Sequence, residues 1–206
     1  MNAYHYLKML QKEIHSTVVA TINDNGNPVT CVIDMMLADE KGLYFLTAEG
    51  KSFYERLIKN ENLSITGLKG KDTMSSRSIT ITGKAKEIGT DHLEEIFMEN
   101  PYMAEIYPDQ ASRSVLRVFQ VYEGQGEYFD LSHRPIVRDS FSFGKARIQK
   151  QGYEVLSNCI GCGVCMGTCP QNCVQIENGK AWIAQEHCLH CGKCFEVCPH
   201  QAIHKW

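Results

Sequence analysis

Nine of the ten cysteines in this 206-residue chain fall between Cys159 and Cys198, and only Cys31 lies elsewhere. Thiolates gathered that densely can hold a metal or exchange electrons. A disulfide scaffold would spread its cysteines through a small secreted chain, so pairing is the weaker reading. The quarter that holds them contains a repeat. CIGCGVCMGTCP runs from Cys159 to Pro170 and CLHCGKCFEVCP from Cys188 to Pro199, each spaced C-x2-C-x2-C-x3-C-P. Tetrahedral zinc sites use paired C-x2-C knuckles and have no use for a third cysteine at the same interval followed by C-x3-C-P. The pattern points to iron-sulfur chemistry.

The repeat resembles the bacterial ferredoxins that carry two 4Fe-4S clusters, in which the fourth cysteine of each copy serves the other cluster. That resemblance implies one set of Cys159, Cys162, Cys165 and Cys198 and a second of Cys188, Cys191, Cys194 and Cys169. Three thiolates can wrap one face of a cubane only on a tightly turned backbone, which Gly161, Gly163 and Gly192 ease. Pro170 and Pro199 then redirect the chain. Cys173 aligns with Ala202 of the other copy and reads as a small buried residue. Between the copies, Asn178-Gly179 signals a hairpin, with Trp182 expected in its core. His187, His190, His200 and His204 lie near the thiols as loop residues rather than ligands.

These thiols need a scaffold, and the first 150 residues supply it mostly as strands. Runs rich in β-branched and aromatic residues cover 17–22, 29–37, 43–47, 63–68, 78–88, 115–122 and 127–131. In SITITG, Ile79 and Ile81 face one way and Ser78, Thr80 and Thr82 the other. NDNGNP and ADEKG mark turns, and the spacing predicts a closed or nearly closed antiparallel barrel. Three helices punctuate it. The first carries Tyr4, Leu7, Leu10 and Ile14 on one face. The second opens at Lys51-Ser52, burying Phe53 with Leu57 and Tyr54 with Ile58, and the third opens at Asp91, with Glu94 completing a capping box, and stops before Pro101.

The segments TVVATINDNGNPVTCVID, GLYFLTAEGKSFYERLIKNENLSIT and RSITITGKAKEI resemble the split barrel of the pyridoxamine 5'-phosphate oxidase-like flavoproteins over about residues 10–131. The fold class expected is therefore a mainly β split barrel with peripheral helices, followed by a small α+β two-cluster ferredoxin-like domain. The resemblance implies a homodimer with FMN at its interface. Pro28, Val29, Thr30, Cys31 and Val32 match the strand beside the isoalloxazine, Thr47, Lys51 and Ser52 the phosphate end, and Arg77 and Ser78 a later strand. A phosphate at the Lys51-Ser52 helix start would meet free amides, a hydroxyl and a cation. Cys31 by itself reads as a strand core residue. Two departures stand out. Asp34 replaces a phosphate-binding lysine, leaving Lys69, Lys71 or Arg77 as substitutes, and the oxidase's C-terminal Trp-Arg and Arg-rich substrate segment is missing. Pyridoxamine phosphate is a poor substrate expectation.

The expected organisation is a split barrel over 1–133, a basic connector over 134–151 and a ferredoxin domain over 152–206. The connector holds Arg134, Arg138, Lys145, Arg147 and Lys150 against Asp139. It is either a solvated face or a docking surface for the ferredoxin domain, whose formal charge reaches about −5 with two clusters loaded. Lys+Arg total 21 against 24 Asp+Glu, giving a net charge of −3, so nucleic acid is not an expected partner. Without an apolar run of membrane length or a signal-peptide-like start, the expectation is a cytoplasmic protein. Wiring single-electron cubanes to a flavin predicts an FMN-dependent oxidoreductase that passes electrons between clusters and flavin and reduces a small organic acceptor. Direction stays open, as do an electron carrier or redox sensor with only a protein partner, and haem or deazaflavin in the barrel. No residue stands out as catalytic, His5, His15, His92 and His133 each reading as isolated.

Overall fold

A computed structural model describes residues 2–206. Its first eight strands are β1 (Ser16–Ile22), β2 (Pro28–Asp34), β3 (Leu37–Asp39), β4 (Gly42–Ala48), β5 (Asn62–Lys69), β6 (Arg77–Glu87), β7 (Leu116–Asp130) and β8 (Val137–Phe143). They form one antiparallel sheet in the order β2-β1-β5-β6-β7-β4-β3, with β8 also on β7. The sheet curls into a half-barrel around Val19, Leu43, Phe45, Ile65, Ile79, Ile81, Phe119 and Val121. Alternation in the sequence produces this. Leu63, Ile65 and Gly67 of β5 are buried while Asn62, Ser64, Thr66 and Leu68 are exposed, and Ile79 and Ile81 point inward as expected.

Helix α1 (Ala3–Met9), capped by the Asn2 side chain, runs into a π-helical turn over Leu10–Ile14 and buries Tyr6, Leu7 and Leu10. It lies close on β5: a Cβ on Gly67 would sit 2.8 Å from Leu10 and 2.9 Å from Ile14. Helix α2 (Ser52–Lys59) buries Phe53 and Leu57, but Ile58, expected inside, is 53% exposed. Helix α3 (Leu93–Glu99) begins two residues after Asp91, and the expected capping box does not form. His92 takes left-handed backbone ahead of it, and its Nδ1 bonds Glu95 at 2.8 Å instead. Short helices α4 (Met103–Ile106) and α5 (Gln110–Arg113) follow.

Three strand expectations change. The run 29–37 divides because Met35 and Met36 leave β1 and donate to His15 and Tyr44 carbonyls. The runs 115–122 and 127–131 fuse into β7, since Gly124 and Gly126 are not a turn: a Cβ there would meet the Phe143 ring at 3.0 Å and the Phe141 ring at 2.4 Å. Those rings belong to β8, which lies inside the stretch expected as a connector, so the barrel extends to Phe143.

The last fifty residues form a separate small core of Tyr153, Val174, Ala181, Ile183 and Ile203 among the cysteines. Strand β9 (Tyr153–Val155) pairs with β12 (Ile203–Lys205), and β10 (Val174–Glu177) pairs with β11 (Lys180–Ile183). The Asn178-Gly179 turn has both residues at positive φ, as the sequence predicts. Trp182 is a correction. Ala181 and Ile183 take the buried face, leaving Trp182 46% exposed.

Candidate functional site

The two cysteine repeats fold alike. Gly163 and Gly192, at equivalent positions, have φ of 80° and open short helices α6 (Val164–Thr168) and α7 (Lys193–Glu196). Gly161 and its counterpart His190 are both left-handed, as are Asn172 and Gln201. A pseudo-symmetric pair of loops results, each turning its thiols toward a cavity. The first cavity is lined by Cys159, Cys162, Cys165 and Cys198 with Ile160, Ile176 and Ile203. The second is lined by Cys188, Cys191, Cys194 and Cys169 with Tyr153, Val174 and Ile183. Each cavity thus gathers three thiols of one copy and the fourth of the other, the grouping that the ferredoxin resemblance implies.

Backbone amides point at these sulfurs. Ala181 N lies 3.4 Å from Cys159 Sγ, Ala202 N 3.3 Å from Cys198 Sγ, and His190 N 3.4 Å from Cys188 Sγ. Burial raises the Cys165 thiol above its ordinary range, and burial beside Cys188 pushes Cys194 up to about 11. Burial also opposes ionisation of Cys169, but the amides of Cys173, Gln171 and Asn172 outweigh it and lower that thiol. Such a donor set fits an iron-sulfur cubane: soft sulfurs around an apolar void, with amides placed to stabilise thiolate charge once metal displaces the protons. Cys173 is buried against Cys169 and also lines the second cavity.

In the barrel, Thr47, the penultimate residue of β4, has its hydroxyl fully enclosed and without a hydrogen-bond partner among the described residues. Lys51, in extended backbone, is the N-cap of α2, and exposed Ser52 is its first residue. Burial raises the Cys31 thiol, while the charges of Arg56 and Lys51 act on it in the opposite direction. Thr30 and Val32 are exposed on β2, whereas Cys31 packs inward as expected. An orphaned hydroxyl, a cation and a helix start form a cradle that suits a phosphorylated cofactor.

Arg77 and Ser78 lie elsewhere. They pair with Asp130 and Phe129 at one end of β7, whereas Thr47 pairs with Arg117 near the other. On the order of 40 Å of strand separates the two pairings. Arg77 bonds Glu13 at 3.2 Å, and Lys69 shares that carboxylate at 3.4 Å. One chain therefore keeps Thr47, Lys51 and Ser52 together at the β4–α2 junction, presents Thr30 and Val32 on the outer face of β2, and leaves Arg77 and Ser78 elsewhere.

Asp34 and His15 are not isolated, contrary to the expectation for the histidine. Tyr102 donates to Asp34 Oδ2 at 2.8 Å and lies 2.9 Å from His15 Nε2, while Ser16 donates to Asp34 Oδ1. Burial pushes the Asp34 carboxyl up, but the Ser16 and Tyr102 hydroxyls and His15 hold it below its ordinary range. Tyr102 sits far along the chain in a short helical segment, so no sequence spacing announces the group.

The barrel and the cysteine-rich module meet at β8. Arg138 Nε donates to the Cys188 carbonyl at 3.0 Å, its guanidinium pairs with Glu127 and lies 4.7 Å from the Phe129 ring centroid. His187 Nδ1–H donates to the Ile136 carbonyl at 2.8 Å. Lys150 lies over the Trp206 ring. Of the two readings of the basic stretch, docking describes Arg138 and Lys150. Burial, and then the Arg138 charge, hold the His190 imidazole below its usual range.

A curled half-barrel joined to two pseudo-symmetric thiol loops defines a split-barrel protein carrying a ferredoxin-like domain. The model for pyridoxamine 5'-phosphate oxidase matches residues 6–127, and that for a 4Fe-4S dicluster domain matches residues 158–203. The chain belongs to the pyridoxamine 5'-phosphate oxidase family. Pyridoxine/pyridoxamine 5'-phosphate oxidases of Citrobacter koseri and Salmonella paratyphi B are each 32% identical over 89 residues, which is 43% of this chain and 39% of theirs. The match thus spans well under half the length of those relatives. Among solved structures, a NimC/NimA family protein of Clostridium acetobutylicum aligns with TM-score 0.57 at 18% identity, covering 69% of this chain and 95% of that one. A heme binding protein of Mycobacterium smegmatis aligns with TM-score 0.53 at 16% identity, covering 68% and 57%. At such identities these two establish the fold. Among the described residues no helix is long and apolar enough to cross a membrane.

Proposed function

We propose that this chain is a redox protein that passes electrons between two 4Fe-4S clusters in the C-terminal module and FMN in the barrel, and uses them to reduce a small organic acceptor. The observation that carries the reading is the junction: the loop bearing Cys188 is hydrogen-bonded directly to barrel strand β8 by Arg138. Bound together, cubanes supply single electrons and a flavin converts between one- and two-electron chemistry. In this reading Cys159, Cys162, Cys165 and Cys198 hold one cluster, and Cys188, Cys191, Cys194 and Cys169 the other. Their amide neighbours lower the cost of placing negative charge there. Thr47, Lys51 and Ser52 bind and orient the FMN phosphate, and Thr30 and Val32 lie along its ring.

Arg77 and Ser78 would reach the same flavin from a second copy. The outer face of β2-β1-β5 supports this, because Val32 (67% exposed), its register partner Val18 (45%) and Leu68 (66%) present apolar surface where a soluble monomer gains nothing from it. Anaerobic purification followed by iron, sulfide and released-flavin analysis tests the reading. Two clusters' worth of iron and sulfide with stoichiometric FMN is expected, and haem, deazaflavin or an empty barrel would overturn it.

A further inference from the structure

Ser78, Phe129 and Arg138 stand abreast on β6, β7 and β8, paired directly across the sheet. Directly opposed residues share a face, and the 4.7 Å approach of the Arg138 guanidinium to the Phe129 ring follows from that. Two strand spacings, about 10 Å, separate the backbone of Ser78 from that of Arg138. On its outer side Arg138 is bonded to the carbonyl of Cys188, which is itself 6% exposed. The second thiol cavity also meets the barrel along its other loop, where Arg134, Pro135, Pro170, Asn172 and His187 enclose a common cleft. Neither cavity is itself lined by a barrel residue; Lys193 lines the second, where its ammonium pairs with Glu196, and no lysine or arginine lines the first.

We infer that Arg138 is an electrostatic positioning residue, which makes the cluster held by Cys188, Cys191, Cys194 and Cys169 the barrel-facing one and raises its reduction potential above that of the other. The inference rests on the proposed cluster assignment and goes beyond it in ordering the two. A fixed cation hydrogen-bonded at the ligand's own peptide stabilises the extra negative charge of the reduced state, and its side chain is only 14% exposed, so solvent screens it weakly. Glu127 offsets part of that charge from the barrel side. The step concerned is a one-electron reduction by a one-electron donor, in which no bond forms or breaks. An electron would come to rest at the cluster nearest the flavin strand bearing Ser78.

The test is an anaerobic redox titration of the full chain followed by electron paramagnetic resonance, with Cys191→Ser assigning the two signals. Arg138→Gln is expected to lower the higher potential by about tenfold in the one-electron equilibrium, about 59 mV, and to leave the other in place. Arg138→Lys should restore most of it, and Glu127→Gln should move the same signal upward. A role confined to holding the domains together would shift neither potential selectively. Equal movement of both signals, or no movement in Arg138→Gln and Glu127→Gln with iron content intact, overturns the inference. Should Arg138→Gln fail to load, the direction of the Glu127→Gln shift decides. A parent protein without two clusters would instead defeat the assignment beneath it.

Discussion

The Cys173 sulfur lies 3.5 Å from that of Cys169, so a ninth thiol touches one of the eight grouped around the two cavities. Burial, and then the neighbouring Cys169 thiol, push Cys173 upward, away from the thiolate form that binds metal. Ala202, its counterpart in the other repeat, is equally buried. Cys173→Ala should therefore keep full iron and sulfide content, whereas Cys169→Ser should lose about half of it. Metal analysis with visible absorption decides, and a comparable loss in both variants would make Cys173 a ligand.

Thr47 offers a test with two opposite signs. Its enclosed, unpartnered hydroxyl costs the flavin-free fold about 1 kcal/mol or more. Thr47→Val should raise the urea midpoint of the flavin-free protein and weaken FMN binding about tenfold, a loss of about 1.4 kcal/mol. Fluorescence titration supplies the second number. Unchanged FMN affinity would remove Thr47 from the site.

The outer face of β2-β1-β5 predicts assembly. Val32→Asp places a charge on the apolar surface shared with Val18 and Leu68. Sedimentation should then show dimer giving way to monomer, and bound flavin should fall with it, since Arg77 and Ser78 could no longer reach the Thr47 region. A flavin-loaded dimeric variant would contradict this.

Much of this was legible in the chain because local rules and tertiary structure agree. Equivalent backbone in the two cysteine repeats follows from their matching spacing, and the alternation of Ile79 and Ile81 dictates which face of β6 turns inward. What misled were features that a distant partner overrides. Gly124 and Gly126 carry turn chemistry, yet the rings of Phe141 and Phe143 need that empty space and draw the strand through it. Asp91 and Glu94 suit a cap, but the backbone turns at His92 instead. Arg138 read as one charge in a basic stretch, because nothing in its neighbours announces a carbonyl fifty residues away. The His15–Tyr102–Asp34 group escaped for the same reason.

Acid should reveal Asp130, which is 1% exposed. Burial raises its carboxyl, but the Ser132 and Tyr128 hydroxyls, the Ser132 amide and His133 outweigh that and bring it down to about 2. An unfolded aspartate titrates near pH 3.9, so the folded state gains about 2 kcal/mol above that pH and loses it as pH falls toward 2. Asp130→Asn should be about 1–2 kcal/mol less stable at neutral pH and show a flatter acid limb. Urea unfolding followed by near-ultraviolet circular dichroism across that range checks it, and parallel curves would contradict the assignment.

Electrons are proposed to pass between the thiol-bound clusters and the barrel flavin. Anaerobic rapid mixing of reduced ferredoxin with the flavin-loaded protein tests this relay most directly, with Cys194→Ser as the comparison. Flavin bleaching in the parent is expected to be at least tenfold faster than in that variant. Equal rates in the two would mean that the clusters are not the path to the flavin, and would overturn the relay.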